Sequence, residues 1–407
     1  MKKIVSLKYV ANFIAGQSPS FPFNTEHQGL EFHQGKTNFS NYLIQESDVY
    51  CKQPEKIAPK GSILISMRAP AGEVNVTDRE IGIGRGLGAI VPYGIDRDYL
   101  FYYLKSLNDQ FRVIEKGSTF MAIDAESLLN IKVVLPCKEE QKSIANRLNK
   151  KVNEIDSLIS LCNAYIDRLG EARQSLVTRA VTKGLDPTVP MKDSGISWIG
   201  EVPAHWEIAR VGFLYRLSNG LSKSGEYFGT GYPFVSYGDV YKNTFLPSNI
   251  EGLVNSSDQD RISCSVRRGD VFFTRTSETV DELGFSSVSL RDVDNSTFAG
   301  FLIRARPISK ALYPEYCGYY FRSDVHRNFF IKETSLVTRA SLSQTLLNKL
   351  PVLIPPISEQ EEIYKYCYSV DRKIKTVLKN ITEQVGLLNQ YRTSLISEII
   401  EVRNDEH

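Results

Sequence analysis

From Leu148 onward, apolar residues fall at Leu148, Val152, Ile155, Ile159, Cys162, Ile166, Leu169, Leu176 and Ala180, with Arg173 in the remaining slot. The steps alternate four and three, the spacing of a heptad seam. The same slots recur at Cys367, Asp371, Ile374, Leu378, Ile381, Val385, Leu388, Arg392, Leu395 and Ile399. Each stretch of about 44 residues predicts a helix roughly 65 Å long at about 1.5 Å per residue. Prolines precede both: Pro136 in "LPCKEEQKSIANRL" and Pro355 and Pro356 in "IPPISEQEEIYKYC". Glu139, Glu140, Glu359, Glu361 and Glu362 then place negative charge at the positive helix end, and Gly184 marks the first C-terminus. Arg173 and Arg392 occupy equivalent slots. Each either snorkels from a loose seam or forms an ion pair with the opposite helix or a partner subunit, fixing register.

The repetition extends beyond the seam. A shift of 219 positions superposes Pro136 on Pro355, Glu140 on Glu359, Gln141 on Gln360, Ile155 on Ile374, Arg173 on Arg392 and Leu176 on Leu395 without a gap. Upstream the likeness is looser: "GLEF" at Gly29 resembles "GYPF" at Gly231, and "GSILISMR" at Gly61 resembles "GDVFFTRT" at Gly269. The chain therefore reads as an internal duplication, a variable block and a helix written twice.

Within the blocks the period shortens. Strand-like runs occupy 61–67, 87–93 and 131–136, and again 269–276, 298–307 and 349–356. Helical patterns interleave at 98–114 and 315–331, so each block is a mixed α/β (α+β) domain. "GIGRGLG" at 82–88 misses the dinucleotide fingerprint and reads as a turn. The connector "KGLDPTVPMKDSGISWIGEVPAHWE" holds three prolines and both tryptophans, Trp198 and Trp206. Those rings predict an ordered linker anchored on the second block. The layout is then 1–135 first block, 136–183 first long helix, 184–207 linker, 208–354 second block and 355–407 second long helix. An antiparallel pairing of the helices would relate the halves by a pseudo-twofold axis.

Composition adds mainly exclusions. At 407 residues the chain exceeds one ordinary core, and its formal charge of +2 does not advertise a nucleic-acid binder. Local basic faces remain compatible with that total. No run of about eighteen apolar residues suggests a membrane span. The six cysteines are scattered without a CxxC pair, and the five histidines are dispersed. Reduced thiols in a cytoplasmic protein, with no metal site, are expected. No phosphate-binding loop, adenine-methyltransferase motif or nucleophilic triad is present, so the chain is not expected to be an enzyme by itself.

What remains are polar, basic and aromatic loops in the variable blocks. The candidate DNA-contacting residues are Lys36, Arg68, Arg85, Lys116 and Ser118 in the first block. In the second they are Lys223, Tyr237, Arg268, Arg275, Thr276 and Arg339. Arg and Lys suit phosphates and guanine edges. The repeated frame supplies candidate coiled-coil and subunit-docking residues: Glu140, Gln141, Ile155, Arg173, Glu359, Gln360, Ile374 and Arg392.

The segment from "LPCKEEQ" through "MKDSGISWIGEVPAHWE" resembles the central conserved region of type I restriction-modification specificity subunits, and "IPPISEQ…LNQYRTSLISEII" resembles their distal one. Cys137 departs from the second proline common there. The resemblance implies two target recognition domains separated by an antiparallel coiled coil, each reading one half of a bipartite, asymmetric double-stranded DNA target. It also implies two methylation subunits carrying S-adenosylmethionine, and two restriction subunits using ATP and Mg. No cofactor would bind this non-catalytic subunit directly. The competing reading is a coiled-coil scaffold that joins two proteins without touching nucleic acid.

Overall fold

The computed structural model describes residues 3–20, 22–68, 70–107, 111, 123–277, 283–333 and 340–401. Two compact units emerge, one from 1–164 with 381–407 and the other from 165–380. The division falls inside both long helices, Lys138–Lys183 and Ile357–Glu401. Each helix therefore contributes one half to each unit.

In the first unit, Lys3–Ser6 pairs antiparallel with Lys132–Leu135, so the ends of the variable block meet. Between them lies a four-stranded antiparallel sheet in the order Ala11–Ala15, Leu87–Pro92, Ile63–Ser66, Val74–Val76. A second sheet runs Tyr50–Cys51, Leu30–His33, Ile81–Ile83, Ile57–Ala58, with one parallel pairing, Leu30–His33 to Ile81–Ile83. The helix Arg97–Ser106 starts at Asp96, whose side chain accepts the N–H groups of Asp98 and Tyr99. This helix is tyrosine-rich and buried from Tyr99 to Leu104. Its Tyr99 and Tyr103 hydroxyls donate to the carbonyls of Val134 and Lys132 (2.9 and 3.0 Å), holding the closing strand.

The second unit repeats the plan. Glu207–Arg210 pairs with Pro351–Ile354, closing the second block. The main sheet runs Tyr215–Asn219, Leu302–Pro307, Val271–Thr274, Ser286–Val288, and the second sheet again has one parallel pairing, Phe228–Val235 to Thr297–Phe298. Tyr316 and Tyr320, in the helix Pro314–Arg322, donate to the carbonyls of Leu353 and Pro351. The pattern that predicts one helix over 315–331 is in fact two helices, Pro314–Arg322 and Val325–Glu333. The break is at Ser323, whose backbone is extended (φ −76°, ψ 162°). There the Ser323 hydroxyl donates to the Tyr320 carbonyl at 2.7 Å, and the preceding Arg322 donates to the carbonyls of Val240, Asn243 and Ser286.

The helices pack antiparallel within each unit. Leu148, Val152 and Ile155 share a buried cluster with Leu395, Ile396 and Ile399 in the first, and Val177 and Val181 share one with Ile363 and Cys367 in the second. One expected slot fails. Leu176 is 38% exposed, while Val177 and Val181 take the buried face. An α-helix drifts about 20° per heptad from a strict seven-residue repeat, and here the helix end packs on a β-rich core rather than on a helix alone.

Both seam arginines form ion pairs with the opposite helix. Arg173 grips Asp371 through two nitrogens (2.7 and 3.1 Å), and Arg392 pairs with Asp156. Asp371 also accepts the Tyr319 hydroxyl at 3.0 Å. A double-mutant cycle of Arg173→Ala with Asp371→Ala should return a coupling of about 1 kcal/mol in denaturant unfolding, modest because both groups keep contact with water. A coupling of zero would reduce the contact to simple packing.

The connector is ordered. Met191–Asp193 and Glu201–Pro203 form a hairpin, and Trp206 is fully buried with its Nε1–H donating to Glu359 at 3.0 Å.

Candidate nucleic-acid interface

The main sheet of each unit ends in the same backbone arrangement but with different side chains. In the first unit Ser66 stands opposite Leu87, and the Met67 N–H extends the pairing to the Gly86 carbonyl at 2.9 Å. The Ile123 N–H then donates to the Met67 carbonyl at 3.1 Å. In the second unit Thr274 stands opposite Leu302, the Arg275 N–H donates to the Phe301 carbonyl at 2.9 Å, and the Leu342 N–H donates to the Arg275 carbonyl at 2.7 Å. Met67 and Arg275, Gly86 and Phe301, and Ile123 and Leu342 are thus structural equivalents.

Arg68 follows the first of these strands and Arg85 precedes the second, and both are exposed. The turn carrying Arg85 is glycine-flanked for a steric reason. A Cβ on Gly84 would come within 2.6 Å of the Gln34 side chain, and one on Gly86 within 2.5 Å of the Gln34 carbonyl. In the second unit, Arg275, exposed Thr276 and Phe301 (65% exposed) share the sheet end. The Tyr237 hydroxyl donates to the Thr276 carbonyl at 3.1 Å, bringing that ring alongside. Among the described residues, Arg68, Arg85 and Arg275 have no hydrogen-bond or ion-pair partner for their guanidinium groups. Unpaired guanidiniums at the ends of these sheet strands are suited to phosphate oxygens or to the O6 and N7 acceptors of guanine.

The other candidates are placed differently. Lys36 is ion-paired with Glu73 at 2.6 Å, and Lys223 with Asp260 at 3.0 Å beside the Tyr227 ring. Arg268 holds Glu315 and the Leu290 carbonyl (2.7 and 2.6 Å). These three cations already work inside their units. Lys116, Ser118 and Arg339 lie outside the described residues. Two arginines of the strand Leu302–Pro307 also turn inward. Arg306 binds Asp270 through two nitrogens, and Arg304 donates to the Ser265 carbonyl while burial lowers its pKa. Phe301 was not among the sequence candidates. Its signal was present in "FAGF", where Phe298 is buried and Phe301 is not, but only the sheet register separates the two.

The candidate coiled-coil and docking residues divide by where their side chains lie. Gln141 and Gln360 are 1% and 0% exposed, so neither side chain reaches a partner. Glu359 accepts from Trp206 and His205, tying the linker to the helix start, and Glu140 is half-buried. Ile155 is buried and Ile374 half-buried in the seam, while Arg173 and Arg392 are engaged with the opposite helix. The exposed apolar residues of the helices are others: Leu158, Leu161, Leu387 and Tyr391 in the first unit, and Tyr165, Leu176, Ile357, Tyr368 and Val377 in the second. Among the described residues no group of three or more His, Cys, Asp or Glu side chains could hold a metal ion, and no helix is long and apolar enough to cross a membrane.

A family model described as the type I restriction modification DNA specificity domain matches residues 2–160 and again 203–386, one copy for each block with the first part of its long helix. The chain belongs to the type I restriction-modification DNA specificity family. It is a specificity subunit of that class. The MjaX type I restriction enzyme specificity subunit of Methanocaldococcus jannaschii is 36% identical over 172 residues, which is 42% of this chain and 39% of that one. In that match the chain spans about two-fifths of the relative's length. The EcoKI specificity subunit of Escherichia coli K12 is 24% identical over 85% of this chain and 75% of its own length. A solved chain, described as showing the structural basis of complex assembly and conformational transition of the type I R-M system, shares the fold. Its TM-score is 0.70 at 14% identity, covering 98% of this chain and 97% of that one.

Proposed function

We propose that this specificity subunit selects a bipartite, asymmetric duplex DNA target, each recognition fold reading one half, while the two long helices carry methylation subunits. One observation carries the reading: equivalent sheet ends present Arg68 and Arg85 in one unit, and Arg275, Thr276 and Phe301 in the other. A common backbone with unlike side chains suits two different half-sites. Exposed apolar residues on both helix pairs suit protein contacts, and the duplicated frame suits two methylation subunits. Restriction subunits would join that assembly. S-adenosylmethionine would be held by the methylation subunits, and ATP and Mg by the restriction subunits, in the cytoplasm where the DNA lies.

The test is duplex binding by the chain together with its methylation subunits across a salt series. Sequence-selective binding should weaken as salt rises, with a log–log slope of about −0.9 for each phosphate contact. Binding without sequence preference, or no binding at all, would favour the protein-joining scaffold instead.

A further inference from the structure

Gln141 and Gln360 are buried amides with every polar atom engaged, and their environments match. The Oε1 of Gln141 accepts the Asp96 N–H at 2.7 Å, and its Nε2 donates to the Pro136 carbonyl at 2.8 Å. The Oε1 of Gln360 accepts the Tyr313 N–H at 2.7 Å, and its Nε2 donates to the carbonyls of Pro355 and Ala311 (2.7 and 2.9 Å). Asp96 and Tyr313 are the residues that open the tyrosine-rich helices Arg97–Ser106 and Pro314–Arg322. Each amide therefore joins three things: the first turn of a long helix, the proline that ends the closing strand, and the start of the recognition fold's own helix. A second contact lies further along. Tyr102 donates to Asn149 at 2.8 Å, and Tyr319 to Asp371 at 3.0 Å, fixing the same two helices at another point.

Two attachment points define an angle where one would leave a swivel. We propose that Gln141 and Gln360 are positioning residues that set the angle at which each recognition fold leaves its long helix, and so restrict the DNA spacer tolerated between half-sites. The inference rests on the proposed reading of bipartite DNA. Only an amide fits both joints, because an acceptor must face the helix-opening N–H while a donor faces the proline carbonyl. An ionised carboxylate has no donor and would oppose the proline oxygen. A protonated carboxyl restores one donor and one acceptor. Gln141→Glu should therefore loosen the joint at neutral pH and re-form it under mild acid. At Gln360 the same exchange restores the proline bond, and the Ala311 carbonyl remains unmatched.

The experiment uses the full chain with its methylation subunits and a set of duplexes carrying the mapped half-sites with lengthened or shortened spacers. Wild type should prefer one spacer. In Gln141→Glu and Gln360→Glu that preference should fall by about tenfold, the equivalent of one buried hydrogen bond, while discrimination against a wrong base inside either half is kept. Mild acid should restore the preference in Gln141→Glu. Undiminished spacer preference in the variants, equal loss of base discrimination, or no recovery in acid would each overturn the positioning role. A wild-type complex indifferent to half-site sequence would instead sink the DNA reading itself. Amide hydrogen exchange of the unaltered protein provides a check that needs no variant. The Asp96 and Tyr313 amides should exchange as slowly as the closing strands, and fast exchange there would also refute the joint.

Discussion

Replacing residues 208–354 with the corresponding block of another family member should change one half of the methylated DNA sequence and leave the other half unaltered. The fold makes this block a cassette. Its first and last strands, Glu207–Arg210 and Pro351–Ile354, pair with each other, so chain entry and exit lie side by side. The first unit's sheets, and the sheet end bearing Arg68 and Arg85, contain no residue of the exchanged segment. A transplanted block that keeps a tyrosine-rich helix retains the hydroxyl bonds made here by Tyr316 and Tyr320 to the closing strand. Loss of one half-site should reduce affinity for the original target about 10³-fold or more, towards non-specific binding. Single-molecule mapping of methylated adenines in cells carrying the chimaera reads the result. A change in both halves, or in neither, contradicts independent reading by two folds.

Trp206→Ala should destabilise the second unit by about 3–5 kcal/mol, the range for emptying a large aromatic site. The indole is fully buried and bonded to Glu359, near the start of the second long helix. At the end of the first long helix, Gly184 adopts φ +74°, where a Cβ would lie 2.9 Å from Glu359 and 3.4 Å from the indole ring. The ring therefore packs where one helix ends and the other begins within that unit. Trp206→Phe separates packing from hydrogen bonding. It keeps most of the buried surface, removes the N–H, and should cost about 1 kcal/mol. Denaturant unfolding followed in the second unit measures both. Equal losses for the two variants would show that the indole N–H, rather than the ring's volume, holds the joint.

Much of the frame was legible because its signals are local. The four–three spacing of Leu148, Val152, Ile155 and Ile159 marks a helix and its buried face from sequence neighbours alone. The shift that superposes Gln141 on Gln360 reveals the duplication without any coordinates. The variable blocks were legible as strands with interleaved helices, since β-branched runs and turn glycines punctuate them. Long-range partners were not legible. Heptad spacing places Arg173 on the seam, but it does not say that Asp371 lies within 2.7 Å or that Asp371 also serves Tyr319. The break at Ser323 was hidden because the apolar pattern continues through it, and the carbonyls that Arg322 reaches lie some 36 to 82 residues away in the chain.

The candidate interface divides in the same way. Arginine in a polar loop has one appearance in sequence whether it is paired or open. Arg268 meets Glu315 of the helix Pro314–Arg322 and Arg275 meets no partner among the described residues, a difference decided by which elements lie beside them. Charge at a helix start suggested docking for the Glu–Gln pairs. Burial turned Gln141 and Gln360 into internal joints, because the tyrosine-rich helices come back over them. The sequence by itself determined the two long helices, the duplication and the alternation of unlike blocks with like frames, all properties carried by periodicity and repetition along the chain. Only the tertiary structure decided which polar groups face outward and which are consumed within a unit. Pairing energy depends on residues that are distant in the chain and adjacent in space.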